Sequence, residues 1–191
     1  MLEIGELHFP EVKVIRPPVH RDGRGVFVEV YNRRVLGEVG ITTEFVQDNV
    51  SFSTRAGTVR GLHFQIEPAP AAKLVRVVRG AILDVVVDLR VGSPTFGGHA
   101  HLEISDASGD QIFIPVGFAH GFCTLEPDTE VAYKVSEHWS SETDRGLRWN
   151  DPDLGIAWPV DAANAVVSEK DRRHPALVDL PDHFFYEGGQ P

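Results

Sequence analysis

The feature that most constrains the fold of this chain is a succession of short, β-branched segments separated by turn residues. The segments predicted as strands are Val26–Tyr31, Lys73–Val78, Ala81–Leu89, His99–Ile104, Gln111–Ile114 and Glu130–Ser136. Glycine, proline and aspartate signals such as Gly92-Ser-Pro94 and Ser108-Gly-Asp110 separate them. Many short strands at this spacing favour an all-β sandwich or jelly-roll barrel over alternating strand–helix units.

Helical signals are sparse. In the first half of the chain, Asn32–Val39 is predicted to be helical, and Gly40 is expected to end this helix. From Asp151 onward the chain is rich in proline and aspartate, and we expect this tail to wrap around the barrel. Because no repeat or change of composition marks a boundary, residues 1–191 are predicted to form a single domain.

Charge and cysteine content narrow the class of protein. The net charge of −10 argues against nucleic acid as a partner, because nucleic-acid binders carry basic patches. Any anionic ligand must therefore be held by a local cluster of arginine and lysine side chains. The single cysteine, Cys123, excludes a disulfide framework and indicates a reducing compartment. No signal-like or membrane-length apolar run is present, so we expect a cytoplasmic protein without membrane contact.

Two glycine–histidine motifs carry the first family resemblance. Gly57-Thr-Val-Arg-Gly-Leu-His63 reads G-x5-H, and Gly109–His120 reads G-x5-P-x-G-x2-H. These patterns resemble the two signatures of the cupin barrel, which implies a cupin-type jelly roll with short flanking helices. A metal-binding cupin continues with a second histidine and a glutamate, whereas this chain continues Phe64-Gln65. We therefore predict that the barrel is kept without its metal site.

His63 has two interpretations from the sequence. It is either a half-buried structural histidine or a general base, since an imidazole titrates near neutral pH. Strict alternation places His63 and Arg60 on opposite faces of a strand. Both side chains can reach one site only if Gly61 introduces a bulge or kink.

Tyr133 and Lys73 also have two interpretations each. Tyr133 shares an apolar face with Val131 and Val135, so it is predicted to point into the barrel, as a core residue or as a general acid. Lys73 opens an apolar strand, where its side chain either extends into solvent or stabilises a developing oxyanion.

Several charged residues are less informative by pattern alone. Arg24 lies in a tight turn and Asp171 in an apparent loop, and both look solvated. Asp84 and Asp88 share one face of an apolar strand, which indicates either an edge strand or a polar pocket.

Taken in order, a series of sequence blocks extends over nearly the whole chain. They are Asp22-Gly-Arg-Gly-Val-Phe27, Phe45-Val-Gln-Asp-Asn49, Val59-Arg-Gly-Leu-His-Phe-Gln65, Lys73-Leu-Val75, Asp84–Arg90, Ser93-Pro-Thr-Phe-Gly97, Ile114–Phe122, Tyr133-Lys134, Trp149-Asn-Asp-Pro152, Trp158-Pro159 and Ser168-Glu-Lys-Asp171. In this combination the sequence resembles the dTDP-4-dehydrorhamnose 3,5-epimerase family.

The resemblance implies a reaction and roles for four residues. The substrate would be dTDP-4-dehydro-6-deoxy-α-D-glucose, the product dTDP-4-dehydro-β-L-rhamnose, and neither a cofactor nor a metal would be needed. His63 would remove protons from the carbons flanking the C4 ketone, oriented by Asp171. Lys73 would stabilise the enolate oxygen, and Tyr133 would return a proton to the opposite face.

The resemblance also implies a set of binding residues and a homodimer. Positions matching those that hold the sugar or the nucleotide diphosphate are Arg24, Glu29, Gln47, Asn49, Arg60, His120 and Lys170. This reverses the interpretation of Arg24 as a solvated turn residue. The homodimer would form by pairing of an N-terminal strand with the partner's sheet.

Two positions depart from the family pattern. His138-Trp139 stands where the family commonly has adjacent aromatic residues, often two tyrosines, and Trp139 is expected to stack on the thymine ring. Asp144 replaces a family glutamate near the nucleotide.

Three alternatives remain open on the sequence. The first is a mono-epimerase that inverts C3 or C5 alone in a related deoxysugar pathway. The others are a metal-dependent cupin and a non-catalytic sugar-binding barrel.

Overall fold

Two large, mainly antiparallel sheets, two small two-stranded sheets and a long C-terminal segment make up the computed structural model, which describes residues 2–188. The strands are β1 (Glu3–Glu6), β2 (Lys13–Arg16), β3 (Val19–Asp22), β4 (Gly25–Val28), β5 (Gln47–Ser53), β6 (Thr58–Gln65), β7 (Lys73–Arg79), β8 (Ala81–Asp88), β9 (Arg90–Val91), β10 (His99–Ser105), β11 (Gln111–Ile114), β12 (Phe118–Thr124), β13 (Thr129–Val135), β14 (Asp144–Gly146), β15 (Val166–Val167) and β16 (Phe184–Phe185). The helices are α1 (Arg33–Glu38) and two 3-10 turns, Asp171–Arg173 and Leu177–Asp179. Within residues 2–188, no helix is long and apolar enough to cross a membrane.

The main core lies between the two sheets. The first sheet has the order β1-β2-β11-β7-β13-β5, and the second has β10-β8-β12-β6-β14 with β15 beside β6. Side chains from both sheets meet in one buried cluster, with Val75, Ile112 and Val131 from the first and Ile82 and Val86 from the second. The predicted all-β jelly roll with short flanking helices is confirmed.

Most of the predicted elements are found within one residue of their expected ends, including β7, β8, β10, β11 and β13. The predicted helix is also confirmed: the Asn32 side chain caps α1 by accepting from the N–H groups of Arg34 and Val35. The strand predicted over Val26–Tyr31 is too long, because β4 pairs only with β3 in a short hairpin. Beyond Val28 the chain leaves the hairpin and leads into the helix cap.

The C-terminal tail wraps around the second sheet, as predicted. Leu154, Trp158, Leu177 and Phe184 pack against the buried cluster around Leu62, which lies on the face of this sheet turned away from the main core. Short parallel pairings of β15 with β6 and of β16 with β9 fix the tail to the barrel.

Gly61 produces the bulge that the sequence requires. β12 pairs with β6 through His120 opposite His63 and Phe122 opposite Arg60, so three steps on β6 match two on β12. Gly61 has φ of 131°, and a Cβ atom on it would lie 2.6 Å from the Gly121 Cα. The extra residue turns Arg60 and His63 toward the same side of the strand.

Gly61→Ala is expected to destabilise the protein by at least about 2 kcal/mol, because the substitution adds a backbone clash to a strained φ. Urea unfolding followed by tryptophan fluorescence measures this change. The matched control is Gly37→Ala in helix α1, where a Cβ meets nothing within 4 Å. That control should be neutral or stabilising by about 0.5–1 kcal/mol. Equal effects of the two substitutions would contradict the role of the bulge.

Candidate active site

A cavity of about 720 Å³ gathers nearly all of the predicted site residues. Its walls come from β5, β6, β7, β12 and β13, together with residues 137–144 and 166–171. The predicted residues that line it are Gln47, Asn49, Arg60, His63, Lys73, His120, Tyr133, Trp139, Asp144, Lys170 and Asp171. Residues far apart in the sequence therefore share one chamber.

Arg24 and Glu29 lie outside this cavity. The Arg24 guanidinium pairs with Asp22 at 2.6 Å in the turn between β3 and β4, and its side chain is 92% exposed. Glu29 borders a separate cavity of about 240 Å³ beside helix α1. Within one copy of the chain, neither residue meets the other predicted ligand-binding residues.

A short polar contact in the cavity joins His63 to Asp171. The His63 Nε2 lies 2.8 Å from Asp171 Oδ1, while Asp171 Oδ2 accepts the Gly61 N–H at 3.2 Å. Since an aspartate carboxylate accepts, the Nε2 carries the proton and donates it, which leaves the Nδ1 lone pair free. The bulge and the histidine are thus held by the same carboxylate.

The interpretation of Asp171 as a solvated loop residue is wrong. Asp171 is buried at the start of a 3-10 turn, and its N–H donates to Ser168 Oγ. Burial opposes the negative charge, but contacts from His174 and His63 outweigh it and hold the pKa of Asp171 well below its usual range. Asp171 therefore remains a carboxylate at neutral pH.

Lys73 reaches into the cavity instead of extending into solvent. Its Nζ donates to the His63 carbonyl at 3.0 Å. Burial lowers the pKa of Lys73 to about 8, although Asp84 and Asp144 act in the opposite direction. The ammonium form still predominates at neutral pH.

Tyr133 faces inward from β13, as its alternation with Val131 predicts, and it packs against the main core. Burial raises the pKa of Tyr133, partly offset by the positive charge of Arg60. The phenol is therefore neutral at pH 7 and can donate a proton.

A second buried pair, His120 and Asp84, lies in the second sheet. His120 Nε2 is 2.8 Å from Asp84 Oδ2. Burial lowers the pKa of His120 despite this carboxylate. Because β8 lies between β10 and β12, Asp84 belongs to a polar pocket and not to an edge strand. Asp88 is equally buried but bonds Arg90, Ser93 and Thr95 instead.

Gln65 occupies the position where a metal-binding cupin has its second histidine. Its amide donates to the carbonyls of Ala69 and His138, and its Oε1 accepts the Ser140 N–H. These bonds tie the loops after β6 and β13 together. Gln65 thus has a structural role at the cavity wall.

The mouth of the cavity carries the predicted nucleotide-binding residues. Trp139 is 61% exposed, and its backbone N–H donates to Gln47 Oε1. Lys170 forms an ion pair with Asp144. Arg60, Lys73 and Lys170 provide the local positive charge that an anionic ligand requires on this acidic protein. His138 is exposed and is not among the lining residues.

His174 was not predicted from the sequence, yet it lies beside Asp171. Its Nε2 lies 3.6 Å from Asp171 Oδ1, and its ring meets that of His63 edge-on with centroids 5.7 Å apart. The spacing of three residues from Asp171 would have been the available signal, because a helical turn places such residues on one side. That signal is readable only once the segment is known to be a turn.

Comparisons with known proteins identify the family of the chain. A family model described as dTDP-4-dehydrorhamnose 3,5-epimerase matches residues 6–179. A dTDP-4-dehydrorhamnose 3,5-epimerase of Sinorhizobium fredii is 49% identical over 193 residues, covering 96% of this chain and 96% of that protein.

Two solved structures are also similar. The dTDP-6-deoxy-D-glucose-3,5-epimerase of Legionella pneumophila, in complex with dTDP-4-keto-L-rhamnose, has a TM-score of 0.93 and 36% identity, covering 98% of this chain and 100% of that one. A 3'-monoepimerase of Streptomyces bikiniensis, in complex with dTDP-quinovose, has a TM-score of 0.82 and 32% identity, covering 88% of this chain and 84% of that one. This chain belongs to the dTDP-4-dehydrorhamnose 3,5-epimerase family of isomerases.

Proposed function

We propose that this enzyme converts dTDP-4-dehydro-6-deoxy-α-D-glucose to dTDP-4-dehydro-β-L-rhamnose by proton transfers at C3 and C5, without a cofactor. The observation that carries the proposal is the meeting of His63, Asp171, Lys73 and Tyr133 in one cavity. A carbon acid beside a ketone needs a base, a partner for the enolate oxygen and an acid, and these residues supply all of them.

Proton abstraction belongs to His63. Its Nε2–H is held by Asp171, so Nδ1 is the nitrogen that accepts the substrate proton. The charge that develops on the imidazole is stabilised by the Asp171 carboxylate. Lys73, bonded to the His63 backbone carbonyl, lies close enough to place its ammonium near the enolate oxygen.

Inversion requires that the new proton arrive on the face opposite the base. His63 lies on β6 of the second sheet, whereas Tyr133 lies on β13 of the first. The two sheets face each other, so base and acid stand on opposite walls of the cavity. This arrangement supports inversion over simple exchange.

The nucleotide part of the substrate fits the mouth of the cavity. Arg60 and Lys170 can pair with the diphosphate, and arginine bonds two phosphate oxygens at once. Trp139 offers an exposed indole on which thymine can stack.

Two exposed surfaces among the described residues support the proposal of a homodimer. β5 is an edge of the first sheet, and its outward residues Val50 and Phe52 are exposed. The β3–β4 hairpin also exposes Phe27. Pairing of the N-terminal segment of one copy with β5 of another would cover both surfaces. It would also bring Arg24 and Glu29 to the mouth of the other copy's cavity.

Phe52→Glu is expected to give a monomer by analytical ultracentrifugation, because a buried charge would oppose this pairing. Loss of the Arg24 contact should also raise KM by at least about tenfold, the weight of one charge-assisted hydrogen bond. The control is Val178→Glu, which places the same charge at a more exposed apolar position on the tail. A monomeric wild-type protein, or a dimeric Phe52→Glu variant, would contradict this assembly.

Proton exchange in D2O, followed by proton NMR on the dTDP-4-keto sugar, separates the roles of the base and the acid. Wild-type enzyme should incorporate deuterium at both C3 and C5. His63→Ala should lower exchange and turnover by roughly two to four orders of magnitude. Tyr133→Phe should keep exchange, since abstraction and return by His63 remain possible, while product formation falls.

His138→Ala serves as the control, because this exposed histidine does not line the cavity. Exchange at one carbon only in the wild type would instead identify a mono-epimerase, the activity named for the similar Streptomyces bikiniensis protein. If the activity of His63→Ala stays within a few-fold of wild type, the assignment of His63 as the base is refuted.

The pH dependence of kcat/KM tests whether Lys73 acts as a cation in the reaction. Because the pKa of Lys73 is about 8, its ammonium form predominates below that pH and is lost as the pH rises through it. We therefore expect kcat/KM to fall above about pH 8. In Lys73→Arg, the overall rate should be lower but this alkaline limb should move upward, because arginine stays charged. An unmoved limb would assign the titration to another group.

A further inference from the structure

Three side chains of metal-ligating type converge beside the proposed base. His63 Nε2, Asp171 Oδ1 and His174 Nε2 all lie within 4.8 Å of one another. The first pair is separated by 2.8 Å, and Asp171 Oδ1 and His174 Nε2 are separated by 3.6 Å. The proposed proton transfer uses the first two residues and gives His174 no role.

His174 has an unusual environment. Its side chain is 11% exposed, and its buried Nε2 has no hydrogen-bond partner among residues 2–188. The ring lies against Gly146, where an added Cβ would be 2.2 Å from Nε2. The backbone at this glycine thus leaves room for the imidazole beside Asp171. A buried imidazole nitrogen that lies 3.6 Å from a carboxylate oxygen, just beyond hydrogen-bond distance, matches the spacing of two ligands on one ion.

The chemistry of the donors fits one class of ion. Two imidazoles and one carboxylate suit divalent transition metals such as zinc, whereas magnesium and calcium favour oxygen ligands. Ligand atoms at about 2.0–2.2 Å from a tetrahedral ion lie roughly 3.3–3.6 Å apart. The observed separations of 2.8 and 3.6 Å bracket this range, and all three donor atoms lie within 4.8 Å of one another.

Access to the cluster is also available. The His63 side chain is 31% exposed and lines the cavity, so an ion can enter from there and keep its fourth position open to water. This cluster differs from the metal site of the cupin pattern. Gln65 is engaged by backbone groups and His120 by Asp84, whereas Asp171 and His174 come from the C-terminal tail.

We propose that His63, Asp171 and His174 bind a divalent transition-metal ion of the zinc type, and that the bound ion blocks the enzyme. Coordination takes the lone pair of His63 Nε2, so the one proton of the neutral ring moves to Nδ1. The ring then has no lone pair with which to accept a proton from carbon. The binding site stands on geometry alone, while the block rests on the proposed function of His63.

Cobalt is the probe for binding, because four-coordinate Co²⁺ absorbs visible light and its signal does not depend on activity. Chelator-treated protein without a polyhistidine tag is titrated with Co²⁺, and Zn²⁺ is then added as a competitor. We expect saturation at one ion per chain and displacement by Zn²⁺ but not by Mg²⁺. His174→Phe, which keeps a ring in the same space, should weaken binding by at least about tenfold.

Two further variants serve as controls for Co²⁺ binding at this cluster. His101→Gln removes one member of the stacked His99–His101 pair on β10, a rival surface site for such ions, and should leave binding unchanged. Should His174→Phe fail to fold by circular dichroism, His63→Gln provides a second ligand deletion. The proposed site is wrong if Co²⁺ does not bind stoichiometrically. It is also wrong if the ligand deletions bind Co²⁺ with full affinity, or if His101→Gln loses binding.

Deuterium exchange into the substrate tests the block separately. Zn²⁺ should abolish deuterium exchange catalysed by the wild type and by the His101→Gln variant. Adding a chelator should restore this exchange. Whatever activity His174→Phe retains should tolerate at least about ten times more Zn²⁺, in line with its weaker binding. Undiminished exchange in Zn²⁺-saturated wild type would overturn the block. If the protein binds Co²⁺ as expected but the metal-free protein exchanges no deuterium, the proposed metal site is supported and the proposed function is refuted.

Discussion

The close approach of β6 and β12 at Gly61 is the constraint on which the candidate site depends. A Cβ on Gly61 would lie 2.6 Å from Gly121, and one on Gly121 would lie 2.7 Å from the Arg60 carbonyl oxygen. With no side chain on either strand at this point, β6 accommodates one extra residue. That residue turns Arg60 and His63 to the same wall. The Gly61 N–H is satisfied by Asp171, so the distortion also helps to hold the carboxylate that orients His63.

The two sheets contribute different parts of the chemistry. The second sheet supplies His63, and the first supplies Lys73 and Tyr133 from neighbouring strands. Burial acts on these groups in directions that suit their proposed roles, because it keeps the phenol neutral and lowers the pKa of the ammonium to about 8. A single cavity can thus hold a neutral acid and a cation on neighbouring strands.

The C-terminal tail contributes both to the stability of the fold and to the candidate site. Its apolar side chains cover the outer face of the second sheet, while its 3-10 turn inserts Asp171 and His174 beside the base. Loosening of the tail would therefore release the carboxylate that orients His63. The terminal segment around Phe184 pairs with β9, and Tyr186 lies over the Arg90 guanidinium; neither residue is among those lining the cavity.

The sequence alone determined the directions of side chains within single strands. Alternation was sufficient to point Tyr133 inward and to show that Arg60 and His63 need a bulge at Gly61. The edge strand β5 escaped prediction because its inward residues, Gln47, Asn49 and Ser51, are polar and face the cavity. An inward polar face reverses the pattern by which a half-buried strand is recognised.

Only the tertiary structure decided which distant segments meet. His63 and Asp171 are 108 residues apart, and nothing in the local pattern of Ser168-Glu-Lys-Asp171 indicates burial. The tertiary structure likewise placed His174 beside Asp171 and left Arg24 and Glu29 outside the cavity of their own chain. The physical reason is that periodicity and turn chemistry report on a few neighbouring residues. The surroundings of a buried charge are instead created by packing between strands and the tail.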